Sequence, residues 1–250
     1  METLTTRRAA GVLLILVPLM FIVCFTLLGE LFEYPDILRQ PTGDVLTKFA
    51  AGGKPLIAVW YALTLTAVAF IPIALLMYRV LAQRENSMLL WVGTTFGVVA
   101  GLAQTIGFMR WPFLVPYLAK TYLDPTGGEA QRVAASMVFE GFHRFAGMAI
   151  GEHLGYLSTS VWTLSIALVM LRTAALPRWL GASGAVLALG IAAGLGESAG
   201  WALGGTINTF AYLAWALWLM AVGVTLLVRR AHGAPATRTA ASPLVPEAAR

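Results

Sequence analysis

Seven ionisable side chains lie inside or at the border of long apolar stretches: Arg110, Glu140, His143, Arg144, Glu152, His153 and Glu197. A charge at membrane depth is costly, so each must face protein or water, and each is a candidate for ligand binding or proton transfer. Glu140-x-x-His143 has the spacing of di-metal carboxylate bundles, which also need a second such motif and further glutamates from facing helices. The chain offers no second motif, so no metal is expected. Neither His143 nor His153 sits mid-membrane opposite another histidine as a bis-histidine haem needs, and there is no Gly-rich phosphate loop or Ser-centred nucleophile elbow. No cofactor is expected either. Glu152 and His153 are neighbours, pointing about 100° apart on a helix, so they cannot grip one ion together. A carboxylate at a helix start is favoured by the dipole, and a carboxylate near a histidine suits proton transfer. Glu197, in Gly196-Glu197-Ser198, either reaches water or turns inward toward Arg110 or His153. Arg110 precedes Trp111, a pairing common in interface anchors.

The stretch that carries Glu140 has its own pattern. Ser136, Glu140, His143, Arg144 and Gly147 recur at spacings of three and four, while Met137, Phe139, Phe142, Phe145 and Met148 cover most of the rest. That periodicity predicts a strongly amphipathic helix. It fits an interfacial helix with charges in water and phenylalanines in lipid. The second reading is a lid whose Glu140, His143 and Arg144 point into a cavity.

The elements that must position these residues are membrane helices. The 250 residues are 58% hydrophobic and 12% charged, about half the charged fraction of soluble domains, and the mean hydropathy is +0.76. The apolar residues fall in runs long enough to cross a bilayer. Segment one covers residues 9–31, with Pro18 inside, and reads as an uncleaved first helix. A polar connection follows over 33–54. Segment two covers 55–81, with Pro72 inside, and segment three 88–109. Arg110-Trp111-Pro112 should end segment three, since a residue before proline is pushed out of helical geometry. Pro116, Asp124-Pro125 and Gly127-Gly128 mark a loop. Residues 129–171 then read as almost continuously helical, about 60 Å long and twice the hydrocarbon thickness. A joint is expected at Gly147 to Gly151, separating an outer-face helix, 130–149, from segment four, 151–171. Segment five covers 179–199, and its Gly190-x-x-x-Gly194 favours close packing. Segment six covers 206–228. Residues 1–230 thus form one all-α membrane domain of six transmembrane helices plus one amphipathic outer-face helix. Residues 231–250 are expected to be a disordered cytoplasmic tail.

Six crossings place both termini on one side. Ten of the 17 Lys and Arg residues lie on that side, flanking its turns and tails, which points to cytoplasmic termini. The net charge of +5 comes from these flanking arginines, not from a nucleic-acid-binding patch. The lone Cys24 excludes an intrachain disulfide.

Three stretches carry a resemblance. Phe32-Glu33-Tyr34-Pro35-Asp36-Ile37-Leu38, Arg110-Trp111-Pro112-Phe113-Leu114-Val115-Pro116 and Gly151-Glu152-His153-Leu154-Gly155-Tyr156 together resemble a bacterial family of multi-helix membrane proteins grouped as a domain of unknown function. The likeness covers nearly the whole chain except the tail. It implies a bacterial inner-membrane protein of this size and no particular activity. All three stretches fall on the outer side, beside the polar residues above. The partners implied are the bilayer and a small lipophilic molecule or lipid in an outward-facing polar pocket. The alternative is a membrane-embedded enzyme using Glu152, His153, Glu197 or Glu140 as acid and base on a lipophilic substrate. The apolar cytoplasmic halves of the segments argue against ion conduction.

Overall fold

In a bilayer a long apolar run satisfies its own backbone polar groups only as a helix, and among the described residues the chain has helices and no strand. The computed structural model describes residues 2–228; the tail expected at residues 231–250 lies outside them. The helices are α1 (Glu2–Phe32), α2 (Thr42–Ala82), α3 (Met88–Phe113), α4 (Val115–Tyr122), α5 (Glu129–Phe142), α6 (Gly155–Thr173), α7 (Arg178–Ala192) and α8 (Ala202–Val228). A π-helical segment, His143–Leu154, joins α5 to α6. Short 3₁₀ segments lie at Asp36–Arg39 and Ala193–Ala199. Six of the described helical stretches are long and apolar enough to cross a membrane. The chain is a multi-pass membrane protein.

The boundaries differ from expectation in three places. The connection at 33–54 is largely helical: α2 begins at Thr42 and kinks at Gly53, whose φ of 55° suits glycine. Val45, Leu46 and Phe49 form the buried stripe of this arm, which its interspersed Thr, Asp and Lys residues disguise. Pro112 does not end segment three, because α3 runs on to Phe113, and the presumed loop beyond it contains α4. Pro116 sits in the first turn of α4, where its missing N–H costs nothing. Lastly, the joint at Gly147 to Gly151 is not a break. The helix stays continuous from Glu129 to Thr173, and widening to π geometry absorbs the change. The amphipathic helix is therefore the projecting end of the fourth span, resting on α4 and the first arm of α2.

Two cores divide the bundle. One lies at the end where α1 begins and α8 ends and gathers Leu14, Met77, Leu90, Met170, Leu180 and Val222. The other lies at the distal end and gathers Leu28, Phe32, Phe49, Trp60, Trp111 and Phe139. α1 belongs to both. Its first half packs on α8, where a Cβ at Gly11 would come 2.7 Å from Leu227. Its second half, with Cys24, Leu28 and Phe32, packs on α2 and the distal aromatic core.

Candidate functional site

Because α1 joins α8 in one half and the aromatic core in the other, the distal parts of α1 and α8 stand apart. A cavity of about 250 Å³ occupies the gap. It reaches inward to Phe21 and Leu213, each eleven residues from the distal end of its helix. At 1.5 Å per residue that is about 16 Å, near the bilayer midplane.

Its apolar wall is Phe21, Phe25, Leu63, Phe108, Met148 and Leu213. Its floor is a hydrogen-bonded triangle. Gln104 Nε2 donates to Thr159 Oγ1 at 3.1 Å and to Tyr212 Oη at 3.3 Å, and Tyr212 donates to Thr159 at 3.2 Å. Beyond this floor Phe70, Trp162 and Trp215 meet edge to face, closing the way toward the termini.

The polar wall is built where α3 crosses the π-helical segment. Gly107 and Gly151 touch backbone to backbone, and a Cβ on Gly107 would come 2.8 Å from the Gly151 Cα. Gly147 leaves room for the Arg110 guanidinium, which a Cβ there would meet at 2.7 Å. Arg110 is only 8% exposed. It donates to the Gly107 carbonyl, and its Nη2 lies 3.3 Å from His143 Nδ1. A guanidinium only donates, so Nδ1 accepts and the ring proton sits on Nε2. The His143 ring stacks on Phe139. Arg110 also lies over the Trp111 ring, 5.0 Å from its centroid, and Trp111 stacks on Trp60 at 4.6 Å. Arg110 Nε has no hydrogen-bond partner among the described residues.

Glu152 projects from the same π-helical segment into the cavity. Among the described residues it makes no hydrogen bond, and neither it nor Arg110 has an opposite charge within 4.0 Å. Glu197 lies at the mouth, 3.7 Å from Arg39, with its carboxylate over Gly205, where a Cβ would meet it at 2.6 Å. This pair bridges the two 3₁₀ segments above the cavity. Tyr34, between α1 and the first 3₁₀ segment, turns its ring inward against Trp60. Burial, followed by the Glu152 carboxylate, pushes its phenol well above the usual range while Arg110 pulls the other way. Its hydroxyl therefore stays protonated.

Of the seven residues singled out from the sequence, Arg110, His143, Glu152 and Glu197 share this cavity. Glu140 and Arg144 line an adjoining depression of about 290 Å³, separated from it by Leu38, His143 and Met148. There Glu140 accepts a hydrogen bond of 3.1 Å from Thr42. His153 is exposed and lines neither. Of the polar stripe, His143 and Gly147 face the cavity, while Glu140 and Arg144 are exposed at the adjoining depression and Met137, Phe142 and Phe145 point outward. Tyr34, Arg39, Gln104, Tyr156 and Tyr212 also line the cavity and were not among the candidates. Gln104 offered a signal, being an uncharged polar residue deep in an apolar run. Among the described residues no three His, Cys, Asp or Glu side chains gather as a metal would need.

No curated protein and no solved structure matches the chain. The model of a family described as a domain of unknown function (DUF4386) matches residues 9–229, nearly the whole chain, and the chain belongs to that family.

Proposed function

We propose that this protein binds a small lipophilic molecule or lipid in the distal cavity. It would act in a bacterial inner membrane, with both termini cytoplasmic and the cavity on the outer side. The observation that carries this reading is the two-faced lining. Phe21, Phe25, Phe108 and Leu213 offer an apolar wall opposite Arg110, Glu152 and the tyrosine hydroxyls. Ligand sites combine an apolar lining with a few convergent polar groups in this way. The volume lies just under the roughly 300–1,000 Å³ of sites that enclose a whole drug-sized ligand. It suits a polar head with the start of a chain, the remainder passing between α1 and α8 into the bilayer.

Of the acid–base alternative's residues, Glu152, His153, Glu197 and Glu140, only Glu152 and Glu197 line the cavity, where the histidine beside them is His143. No hydrogen bond links His143 to either carboxylate, so a poised proton-transfer pair is missing and binding is the better reading.

The test is mass spectrometry of lipids retained by the purified protein, beside a Leu213→Trp variant that fills the apolar wall. A lipid retained by the wild type and lost from a folded Leu213→Trp protein is the expected result. Equal retention by both would refute the proposal.

A further inference from the structure

Arg110 and Glu152 set a sharper demand on the ligand than lipophilicity. Both line one cavity, and neither has an opposite charge within 4.0 Å among the described residues. They attract each other across the space without forming a contact pair. The hydroxyls of Tyr34 and Tyr156, on the same cavity, also make no hydrogen bond among the described residues. At the mouth, Glu197 already has Arg39 at 3.7 Å. Desolvated charges at membrane depth are tolerated only when paired. Two opposite charges held apart therefore call for a guest that carries both signs at that spacing.

We infer that the cavity takes an amphiphile with a zwitterionic head, its anionic group toward Arg110 and its ammonium toward Glu152. The anion gains the outer edge of a guanidinium that His143 and the Gly107 carbonyl hold from behind. The ammonium gains the carboxylate together with the faces and hydroxyls of Tyr34 and Tyr156, where aromatic rings favour a cation. The chain leaves along Phe25 and Leu213. A purely anionic head leaves Glu152 unmatched, and an uncharged head leaves both charges unmatched. Discrimination then comes from the penalty on wrong guests as much as from attraction to the right one.

This inference rests on the lipid-binding reading, and the experiment separates the two. The full-length protein is titrated with three single-chain probes of equal length: lysophosphatidylethanolamine, lysophosphatidylglycerol and monoacylglycerol. Binding is read by native mass spectrometry. The wild type should hold the ethanolamine probe about tenfold more tightly than either other probe. Glu152→Gln should shift the preference to the glycerol-phosphate probe, and Arg110→Gln should abolish the preference for any phosphate. The wild-type order needs no variant, so a variant that fails to fold leaves the test intact. Equal affinity for all three probes, or tightest binding of the anionic probe with Glu152→Gln unchanged, overturns the zwitterion inference and leaves the lipid site standing. Binding of every probe that is unaffected by Leu213→Trp overturns both. Displacement of water only, with no probe bound at saturation, also overturns both.

Discussion

The same helices build two unlike halves. In the terminal half they close on one another: Gly223 meets the Gly11 carbonyl, at 2.8 Å from where its Cβ would stand. Thr94, Ser165 and Thr173 turn their hydroxyls back onto carbonyls of their own helices. Trp215 and Trp218 donate to Thr163 and to the Leu180 carbonyl. Among the described residues no charged side chain is buried in that half. In the distal half the glycine contact is spent on a different pairing, Gly107 against Gly151. It draws α3 onto the π-helical segment and leaves α1 and α8 apart, with unpaired charges between them. Close packing at one end and a held-open space at the other come from where small residues sit, not from overall apolarity.

The comparison can be broken by paired substitutions. Trp111→Ala and Trp218→Ala should each cost about 3–5 kcal/mol in chemical denaturation. Only Trp111→Ala, which removes the ring beneath Arg110, should also weaken lipid retention among the molecules that stay folded. Next in size, Gly151→Leu and Gly223→Leu should each cost about 1–3 kcal/mol through overpacking. Gly151→Leu should empty the cavity of lipid, whereas Gly223→Leu should leave its occupancy unchanged. Glu152→Gln should act with opposite sign in two states. It should stabilise delipidated protein by about 1 kcal/mol, because an unpaired, half-buried charge is removed, and it should reduce the stabilisation that added lipid confers.

The smallest effect lies outside both halves, at Asp124. Its carboxylate accepts from the Thr126 hydroxyl at 2.7 Å and backbone N–H at 2.9 Å, which hold its pKa below the usual carboxylate range. A depressed folded pKa gives stability that is present above the unfolded value, near pH 4, and is lost as pH falls through the folded one. The protection of the Thr126 amide from proton exchange, relative to its intrinsic rate at each pH, should therefore fall below about pH 4, and Asp124→Ala should abolish that pH dependence.

Much of this was legible in the residues themselves. Six apolar runs, the arginine-flanked turns and the stripe through Glu140 and His143 follow from composition and periodicity, and the Gly147 to Gly151 joint falls inside the π-helical segment. What the sequence could not convey was tertiary. Glu152 and His153 are equivalent to any periodicity argument, yet helix rotation sends one into the cavity and the other outward. Tyr34 reads as part of a polar connection, and only folding of that connection against Trp60 brings it beside Glu152 and Arg110. The arm from Thr42 to Gly52 looks polar because its buried face is only three residues wide. Arg39 became visible only once the two 3₁₀ segments came together over the cavity.

The central claim, an open distal half against a sealed terminal half, is tested most directly by cysteine labelling. In a Cys24→Ala background, single cysteines replace Phe25, Thr209, Leu14 or Leu219, and each variant is exposed to a small membrane-permeant maleimide. The account predicts that the Phe25 and Thr209 positions react and are protected by added lipid, while the Leu14 and Leu219 positions stay inert. Equal reactivity in both halves, or distal labelling that lipid does not slow, would contradict it.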